Sequence, residues 1–490
     1  MISFAQLLSL IIYIFICNSV NGQTTQKFLD SEREMRAAWV ATVENIDWPS
    51  SKKLTAEQQQ NEFKNIVSRY SEAGFNALFV QIRPCADAFY PSPYESWSPY
   101  LTGVRGKDPG YDPLKFMIEE CHRQGLEFHA WFNPYRAIIN IHNDHTDISH
   151  ITKLKPEWFI TYGNIKLFNP GIPEVWTYIK EIVMDVVKKY DIDGVHLDDY
   201  FYPYKIPGKP FPDLKTYNIY NNGMKLDGWR RQNVDTVIHL LHEAINKEKP
   251  YIRFGVSPFG VWRNKHIDAE GSATRAGCTN YDDLYADILK WLKNDWIDYA
   301  APQLYWETGN RVCDYYTLTQ WWNDHSYGKQ IYVGHASYRL FEKTPSWCNS
   351  SQICNQVKIL RNHDNVQGSI YYNTNSMMKN PHHIMDSLRL NYYSVRCLAP
   401  LKEGVSKTKI PAPKIKIYDS NTQTIQLDLD TITIKSLRYI VIYNNNLLYK
   451  VIAADKNIKV DFIEKNKAIS KYTIKYVDKF GNESETATII

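Results

Sequence analysis

The chain has 490 residues, with 57 lysines and arginines against 53 aspartates and glutamates, and it is 44% hydrophobic and 14% aromatic. This composition excludes a disordered, collagenous or coiled-coil chain. A formal net charge of +4 is too small over this length for a nucleic-acid groove or an anionic membrane surface, so we expect neither partner. The 35 tyrosines and 14 tryptophans provide flat amphipathic rings, which suit sugar faces as well as protein cores.

Residues 1–22 have the pattern of a secretory signal peptide. They contain no charged side chain, and an apolar run from Leu7 to Cys17 is followed by small and polar residues. The run is too short for a membrane span, so cleavage near Gln23 would leave a mature chain without an integral membrane segment. Cys17 could instead carry a lipid, but Ile16 stands where lipoprotein signals require a small residue. We therefore expect a secreted or periplasmic protein.

Short apolar runs alternate with amphipathic stretches over residues 30–395. The runs predict buried strands at Arg36–Val43, Ala77–Arg83, Glu127–Asn133, Gly194–Asp198, Arg253–Ser257, Tyr299–Tyr305, Gln330–His335 and Ser369–Asn373. The stretches predict helices such as Gln58–Ala73, Pro113–Gln124, Pro173–Tyr190, Gly228–Asn246, Tyr281–Lys293 and Ser351–His363. Eight strand–helix units predict an α/β fold, a closed (β/α)8 barrel with its site at the carboxyl ends of the strands. The alternative is an open doubly wound sheet, but no glycine-rich phosphate-binding fingerprint follows any of the runs.

The composition changes beyond Pro400, where alternating strands replace long helices. We interpret residues 396–412 as a linker and residues 413–490 as a second domain. Apolar runs at 424–429, 438–443 and 472–477 fit a small antiparallel β-sandwich. The segment YTIKYVDKFGNES resembles the end of a fibronectin type III domain. We expect this domain to support or space the barrel.

The fourth predicted strand runs directly into two carboxylates in the segment DGVHLDDYFYP, which begins at Asp193. Period-two alternation turns the valine and leucine toward the helices, and it leaves His196 and Asp198 pointing into the barrel mouth. Asp198 is therefore a better catalytic candidate than Asp199, as a nucleophile or as a group that stabilises positive charge on a sugar ring. His196 and Tyr200 are candidates for substrate binding. The alternatives are a loop-capping aspartate pair and a metal site formed by the histidine and both aspartates.

Glycoside hydrolysis needs a second carboxylate to protonate the leaving oxygen. Glu307 is the best candidate, because alternation after the sixth strand places Gln303, Tyr305 and Glu307 on one face. Tyr305 and Trp306 could exclude water and so favour the protonated carboxyl group. The alternative is an ordinary glutamate on the rim, with Asp199 or an aspartate at another strand end as the acid.

Other strand ends carry polar and aromatic side chains that could bind hydroxyl groups or an anionic group. These candidates are Arg83, Asp87, Tyr90, Trp131, Asn133, Arg136, Ser257, His335 and Asn373. Alternatively, Arg83 and Asp87 pair only with each other, Trp131 fills the barrel and His335 is structural; Asp87 could also be the acid. We expect convergence on one concave site of Arg83, Asp87, Asn133, Asp198, Gln303 and Glu307.

Several long motifs, in the same order, resemble the glycosyl hydrolase-like 10 family over about residues 30–390. They include REMRAAWVATVENIDWPS, ALFVQIRPCADAFYPSPYESWSPYLTG, EFHAWFNPYR, DGVHLDDYFYP, GVSPFGVWRN, APQLYWETG and VGHASYR. The resemblance implies a (β/α)8 barrel of secreted or bacterial envelope enzymes that act on glycans. It also implies, for some members, activity on peptidoglycan strands that have lost their peptides.

The segment D-G-x-H-x-D is also similar to the fourth-strand motif of the α-amylase superfamily. That resemblance implies an aspartate nucleophile at Asp198. However, His196 stands where those enzymes carry an arginine, and Ser257 and Pro258 stand where they carry the glutamate of the fifth strand. The acid of those enzymes therefore has no counterpart in this chain.

Three hypotheses follow for the function. The first is a glycoside hydrolase that needs no cofactor and uses Asp198 with a second carboxylate. The second is a catalytically silent barrel that binds glycans through the same aromatic cleft. The third is a metal-dependent hydrolase or deacetylase that uses His196 and Asp198.

Overall fold

The computed structural model describes residues 33–143, 148–404, 409–419, 424–427, 431–454, 459–461 and 472–488. The signal peptide predicted for residues 1–22, with Cys17, lies outside the described residues. All seven cysteines in the described part of the chain are free thiols.

Eight parallel strands close into a barrel in the order β1-β8-β7-β6-β5-β4-β3-β2. Their bounds are Met35–Val40 (β1), Ala77–Arg83 (β2), Glu127–Phe132 (β3), Gly194–Leu197 (β4), Arg253–Val256 (β5), Tyr299–Ala300 (β6), Gln330–Ala336 (β7) and Val366–Tyr372 (β8). The predicted closed α/β barrel is confirmed, and the open-sheet alternative is wrong. The sixth strand is shorter than predicted, because its continuous pairing with both neighbours ends at Ala300. Gln303 then forms isolated bridges to the chain that follows β5 and to β7.

One principal helix follows each strand. The eight are Ala56–Glu72 (α1), Pro113–Arg123 (α2), Pro173–Lys189 (α3), Leu226–Glu248 (α4), Ile288–Lys293 (α5), Tyr315–Asp324 (α6), Ser351–Leu360 (α7) and Ile384–Asn391 (α8). The helix predicted over 281–293 is interrupted, because Tyr285 has a left-handed φ of 53° between Asn280–Asp283 and α5. None of the helices in these described ranges is long and apolar enough to cross a membrane.

Shorter elements decorate the barrel. Further helical turns are Val43–Asn45, Pro99–Thr102, Ile141–Asn143, Ile151–Leu154, Pro156–Trp158, Leu214–Tyr220, Ser337–Phe341, Thr374–Met378 and Pro381–His383. A three-stranded antiparallel sheet, which the sequence did not predict, follows β3 and is formed by Arg136–Ile138, Phe159–Tyr162 and Ile165–Phe168.

The alternation predicted for β4 is confirmed. Val195 and Leu197 belong to the core between the strands and the helices, whereas His196 contacts side chains inside the barrel. The inner layer is aromatic, and Gly255 makes room for it: a Cβ atom at this position would lie 2.3 Å from the ring of Tyr299. The glycine is therefore required by packing, because the facing ring fills the space of a side chain.

The C-terminal part consists of two antiparallel sheets. One contains Ile415–Asp419, Thr424–Leu427 and Lys459–Asp461. The other contains Leu437–Asn444, Leu447–Ala453, Tyr472–Asp478 and Ala487–Thr488. A helix at Thr431–Ser436 immediately precedes Leu437–Asn444 in the chain. Arg438 forms ion pairs with Asp191 and Asp193, both at 2.8 Å. Because Asp193 immediately precedes β4, these C-terminal sheets contact the amino-terminal end of the barrel, away from the mouth.

Candidate active site

A cavity of about 200 Å³ lies at the carboxyl ends of the barrel strands. We call it the mouth cavity, and its walls are Trp39, Trp131, Asp198, Asp199, Tyr200, Tyr204, Ser257, Gln303, Tyr305 and Tyr372. Two carboxylates therefore face a pocket whose walls are mostly aromatic. Of the principal sequence candidates, the structure brings together here Trp131, Asp198, Asp199, Tyr200, Gln303 and Tyr305.

Asp198 is buried and held by donors. Its Oδ2 atom accepts hydrogen bonds from Nε1 of Trp131 and Nδ2 of Asn133, both at 3.0 Å, and its Oδ1 atom accepts from the backbone N–H of Tyr200 at 3.3 Å. Burial raises the pKa of Asp198 to about 7, although the positive charge of Arg136 opposes the rise. The carboxyl group can therefore gain or lose a proton near neutral pH.

Asp199 has a different set of partners. The hydroxyl group of Tyr204 donates to its Oδ2 atom. Burial raises the pKa of Asp199, and hydrogen bonds from Tyr204 and Gln303 oppose this. A phenol can donate to a carboxylate or accept from a carboxylic acid. Asp199 can therefore keep this hydrogen bond in either protonation state.

The wall opposite the two aspartates is aromatic. In the strand order, β8 lies across the barrel from β4, and it ends at Tyr372, which lines the mouth cavity beside Trp39 from β1. Among the described residues, the carboxylates that line this cavity are Asp198 and Asp199. Both carboxylates therefore face the mouth cavity from the β4 side.

His196 lies beneath the cavity and does not line it, which corrects the expectation that it binds substrate. Its Nε2 atom accepts a hydrogen bond from Nε1 of Trp39 at 3.1 Å, so Nδ1 carries the proton and lies 3.0 Å from the hydroxyl oxygen of Tyr299. Burial lowers the pKa of His196 well below its usual value, so the ring is neutral. The histidine thus holds Trp39 in the cavity wall, and its nitrogens already have protein partners. In the described ranges, no three His, Cys, Asp or Glu side chains are grouped so that they could hold a metal ion.

Glu307 does not reach the mouth cavity. It lies on the rim, with its side chain 23% exposed, where it accepts from Nδ2 of Asn310 at 2.9 Å and pairs with Arg339 at 3.4 Å. Partial burial alone would raise its pKa, but these partners lower it. A general acid needs a raised pKa, so the structure places Glu307 in an environment opposite to the one we expected.

Arg83 and Asp87 also lie outside this cavity, and they do not pair with each other. Arg83 forms a buried ion pair with Glu95 at 2.5 Å. Asp87 accepts from the backbone N–H of Cys85 at 3.0 Å and pairs with Arg105 at 3.3 Å. Each forms its ion pair with a residue of the loop after β2, and neither lines the mouth cavity, so the expectation that both share a concave site with Asp198 is not met.

The loop after β3 connects this region to the cavity. Arg83 donates from Nη1 to the backbone oxygen of Asn133 at 2.6 Å, and Asn133 in turn donates to Asp198. The guanidinium group of Arg136 lies 5.1 Å from the ring centre of Tyr200. Asn133 and Arg136 therefore support the cavity from behind, and Arg83 positions Asn133.

Four other candidates have structural partners. Tyr90 is fully buried, with its ring centre 6.1 Å from that of Tyr190, and the ring of Trp306 packs on Phe259. His335 is buried between Gln356 and Ser369, with contacts of 3.1 and 3.0 Å. Asn373 accepts from the backbone N–H of Ser376 and so caps a helix. These contacts correct the expectation that Tyr90, Trp306, His335 and Asn373 line the site.

Sequence reasoning missed three residues of the mouth cavity. Trp39 and Tyr372 lie on inward positions of β1 and β8, where period-two alternation could have identified them. Tyr204 follows Asp199 by five residues in a loop that has no periodic signal.

A larger groove lies on the same end of the barrel. It has a volume of about 880 Å³, and its walls come from the loops after β1, β2 and β3. Lys52 and Arg105 supply positive charge to its walls, and Glu44 supplies negative charge. Cys85, which contacts Arg136, lies in its wall, so the guanidinium group of Arg136 stands between the groove and the mouth cavity.

The fold and this site define a (β/α)8 barrel with a paired-carboxylate, aromatic-walled cavity at its mouth. Residues 34–349 match the family model described as glycosyl hydrolase-like 10, and the chain belongs to this family. It is 44% identical to the glycosyl hydrolase YngK of Bacillus subtilis over 433 residues, which is 86% of this chain and 83% of that protein. It is 38% identical to the glycosyl hydrolase DigH of Escherichia coli K12 over 347 residues, which is 66% of this chain and 78% of that protein.

Among solved structures, the PgaB (BpsB) glycoside hydrolase domain from Bordetella bronchiseptica aligns with a TM-score of 0.47 at 13% identity. The alignment covers 74% of this chain and 99% of that domain. At this level of similarity, nothing about the site is carried over.

Proposed function

We propose that the protein is a glycoside hydrolase that cleaves a polysaccharide of the bacterial envelope or another glycan, with peptide-free peptidoglycan strands as the first candidate substrate. The observation that carries this proposal is the buried pair Asp198 and Asp199 in the aromatic mouth cavity. Glycoside hydrolysis by paired carboxyl groups requires one group that is protonated near neutral pH beside one that is ionised, and burial raises the pKa of both aspartates.

The cavity walls suit a sugar ring. Trp39, Trp131, Tyr305 and Tyr372 offer flat apolar faces, which pack against the C–H faces of a pyranose. Gln303 and Ser257 add polar atoms that can bind hydroxyl groups. No cofactor is part of this proposal, because general acid catalysis by carboxyl groups needs none.

The groove after β1, β2 and β3 supports a polymeric substrate. Its volume of about 880 Å³ is near the upper end of the range of roughly 300–1,000 Å³ that is typical of ligand-binding pockets. It lies at the same end of the barrel as the mouth cavity. A glycan strand with one sugar unit beside Asp198 would pass Arg136, which stands between the two pockets, and place its further units in the groove.

A screen of the mature chain, beginning at Gln23, tests this proposal. The substrates are peptidoglycan strands with and without peptides and common polysaccharides, and the products are measured as new reducing ends. Hydrolysis by the wild type and its loss in Asp198→Asn support the proposal. Saturable binding without any cleavage would support the alternative, a glycan-binding barrel.

We also propose that the protein is secreted or periplasmic, on the pattern of residues 1–22, and that the C-terminal part is a fibronectin type III-like support domain. The YTIKYVDKFGNES segment supports the second proposal. Fractionation of the native host followed by N-terminal sequencing tests the first, and a mature N-terminus near Gln23 is the expected result.

A further inference from the structure

The two carboxylates of the mouth cavity lie on one side of it. Asp198 and Asp199 are neighbours in the chain at the end of β4, and the wall across the barrel is formed by Tyr372 and Trp39. Glycosidases that use two protein carboxyl groups hold them on opposite faces of the sugar. One carboxyl group protonates the leaving oxygen, and the other attacks the anomeric carbon or activates water. Among the described residues that line the cavity, no carboxylate occupies that opposite face.

The nucleophile on the opposite face must then come from another source. We propose that it is the substrate itself: the protein cleaves β-linked 2-acetamido sugars, and the acetamido oxygen of the sugar attacks its own anomeric carbon. This inference rests on the proposed function and specifies its substrate class and mechanism. A 2-acetamido group trans to the leaving oxygen has the geometry for this attack, so a second protein carboxylate is not needed.

The partners of the two aspartates distinguish their roles. The side-chain and backbone groups that contact Asp198 are all N–H donors, from Trp131, Asn133 and Tyr200, and a protonated carboxyl group would lose one of these bonds. Asp198 is therefore the carboxylate that accepts the acetamido N–H and stabilises the positive charge developed on that group. Asp199 keeps its bond to Tyr204 when protonated, so Asp199 is the general acid.

The reaction then balances in two steps. In the first, the acetamido oxygen forms a bond to the anomeric carbon, the bond from that carbon to the leaving oxygen breaks, and the leaving oxygen takes the proton of Asp199. In the second, water attacks the anomeric carbon while the Asp199 carboxylate takes a proton from it. The bond to the acetamido oxygen breaks, and the sugar is released with its original β configuration.

A matched pair of substrates tests the inference. Peptide-free peptidoglycan strands are compared with the same strands after removal of the N-acetyl groups, and the anomer first formed is observed by NMR. We expect cleavage of the acetylated strands only, with a β product. Cleavage of both strands at similar rates, or an α product, would overturn the inference and leave glycoside hydrolysis standing.

Two variants test the roles independently of strand preparation. The substrate is the 4-nitrophenyl β-glycoside of a 2-acetamido-2-deoxyglucose trisaccharide, whose leaving group needs no proton. Asp199→Asn should lose about 10²–10⁴-fold on natural strands and recover much of this on the aryl glycoside. Asp198→Asn should lose activity on both substrates. Recovery in Asp198→Asn instead would overturn the assignment.

A stable mimic of the cyclic intermediate provides a binding readout. The thiazoline derivative of 2-acetamido-2-deoxyglucose should raise the Tm of the wild type and inhibit it competitively, and it should bind more weakly to Asp198→Asn than to Asp199→Asn. Absence of any binding to the active wild type would count against the inference. If no glycan of any kind is cleaved, the proposed function fails together with the inference.

Discussion

Nε1 of Trp131 donates a hydrogen bond of 3.0 Å to Oδ2 of Asp198, so an aromatic wall of the mouth cavity also holds one of its two carboxyl groups. This bond favours the ionised form, whereas burial favours the neutral form and raises the pKa of Asp198 to about 7. Together with the charge of Arg136, which also favours the ionised form, these effects decide the protonation state of Asp198.

The first prediction concerns this pH dependence. Asp198 must be ionised in the proposed reaction, so kcat/KM should fall as the pH drops below about 7. Trp131→Phe removes one donor to the carboxylate, so it should move this acidic limb to higher pH. Trp306→Phe is the matched control, because this indole lies outside the cavity and its limb should stay in place. Equal movement in both variants would show that the limb belongs to another group.

The second prediction separates Asp198 from Glu307. Asp198→Asn should reduce turnover on the order of 10³-fold or more, roughly 4 kcal/mol of transition-state stabilisation, with glycan binding retained. Glu307→Gln should stay close to the wild type, because this anionic rim carboxylate contacts Asn310 and Arg339 and does not reach the cavity. Steady-state kinetics on one substrate measure both. A larger loss in Glu307→Gln would restore it as the acid.

The third prediction assigns a positioning role to His196. His196→Leu leaves the indole N–H of Trp39 without its acceptor, and His335→Leu removes an equally buried histidine that does not contact the cavity. Each should cost roughly 1–3 kcal/mol of stability, because buried polar partners are left unpaired. Only His196→Leu should also raise KM, and it should leave the pH dependence of kcat/KM unchanged. A similar rise of KM in both variants would indicate a general loss of stability.

The sequence predicted the barrel because its strands and helices have clear periods. It also identified Asp198, since β4 is a regular strand up to the residue before it. The same argument still held at Gln303 and Tyr305, which both line the mouth cavity. It failed at Glu307, because the chain there has passed its bridges to the neighbouring strands at Gln303. At β8 the inward residue is Tyr372, one position before the predicted Asn373.

Sequence periodicity could not predict the ion-pair partners of Arg83 and Asp87. Arg83 pairs with Glu95, and Asp87 pairs with Arg105, in both cases through loops without a repeating pattern. The charge of these two residues and their position near the end of a strand were as consistent with substrate binding as with a structural role. Only the tertiary contacts show that Arg83 pairs with Glu95 and Asp87 with Arg105, and that both pairs hold the loop after β2.

The last prediction concerns the contact between the C-terminal sheets and the barrel. The side chains of Arg438 and Asp193 are each 5% exposed and form an ion pair at 2.8 Å. Burial would raise the pKa of Asp193, but Arg438 and His122 lower it well below its usual range. Arg438→Met would leave this carboxylate buried without its cation. We therefore expect a loss of roughly 3–5 kcal/mol, because an unpaired buried charge costs far more than a paired one contributes.

Lys479→Met is the matched control, since Lys479 also connects the C-terminal sheets to the barrel but pairs with the half-exposed Asp191. Solvent screens this pair, so its loss should cost at most about 1 kcal/mol. Thermal unfolding of both variants measures the difference, and the double variant Arg438→Met with Asp193→Asn should recover part of the stability. Activity per folded molecule should be unchanged, because the ion pair lies at the amino-terminal end of β4 and the mouth cavity lies at the other end. A large fall in kcat with little change in Tm would instead mean that the loss of this ion pair changes the mouth cavity through β4.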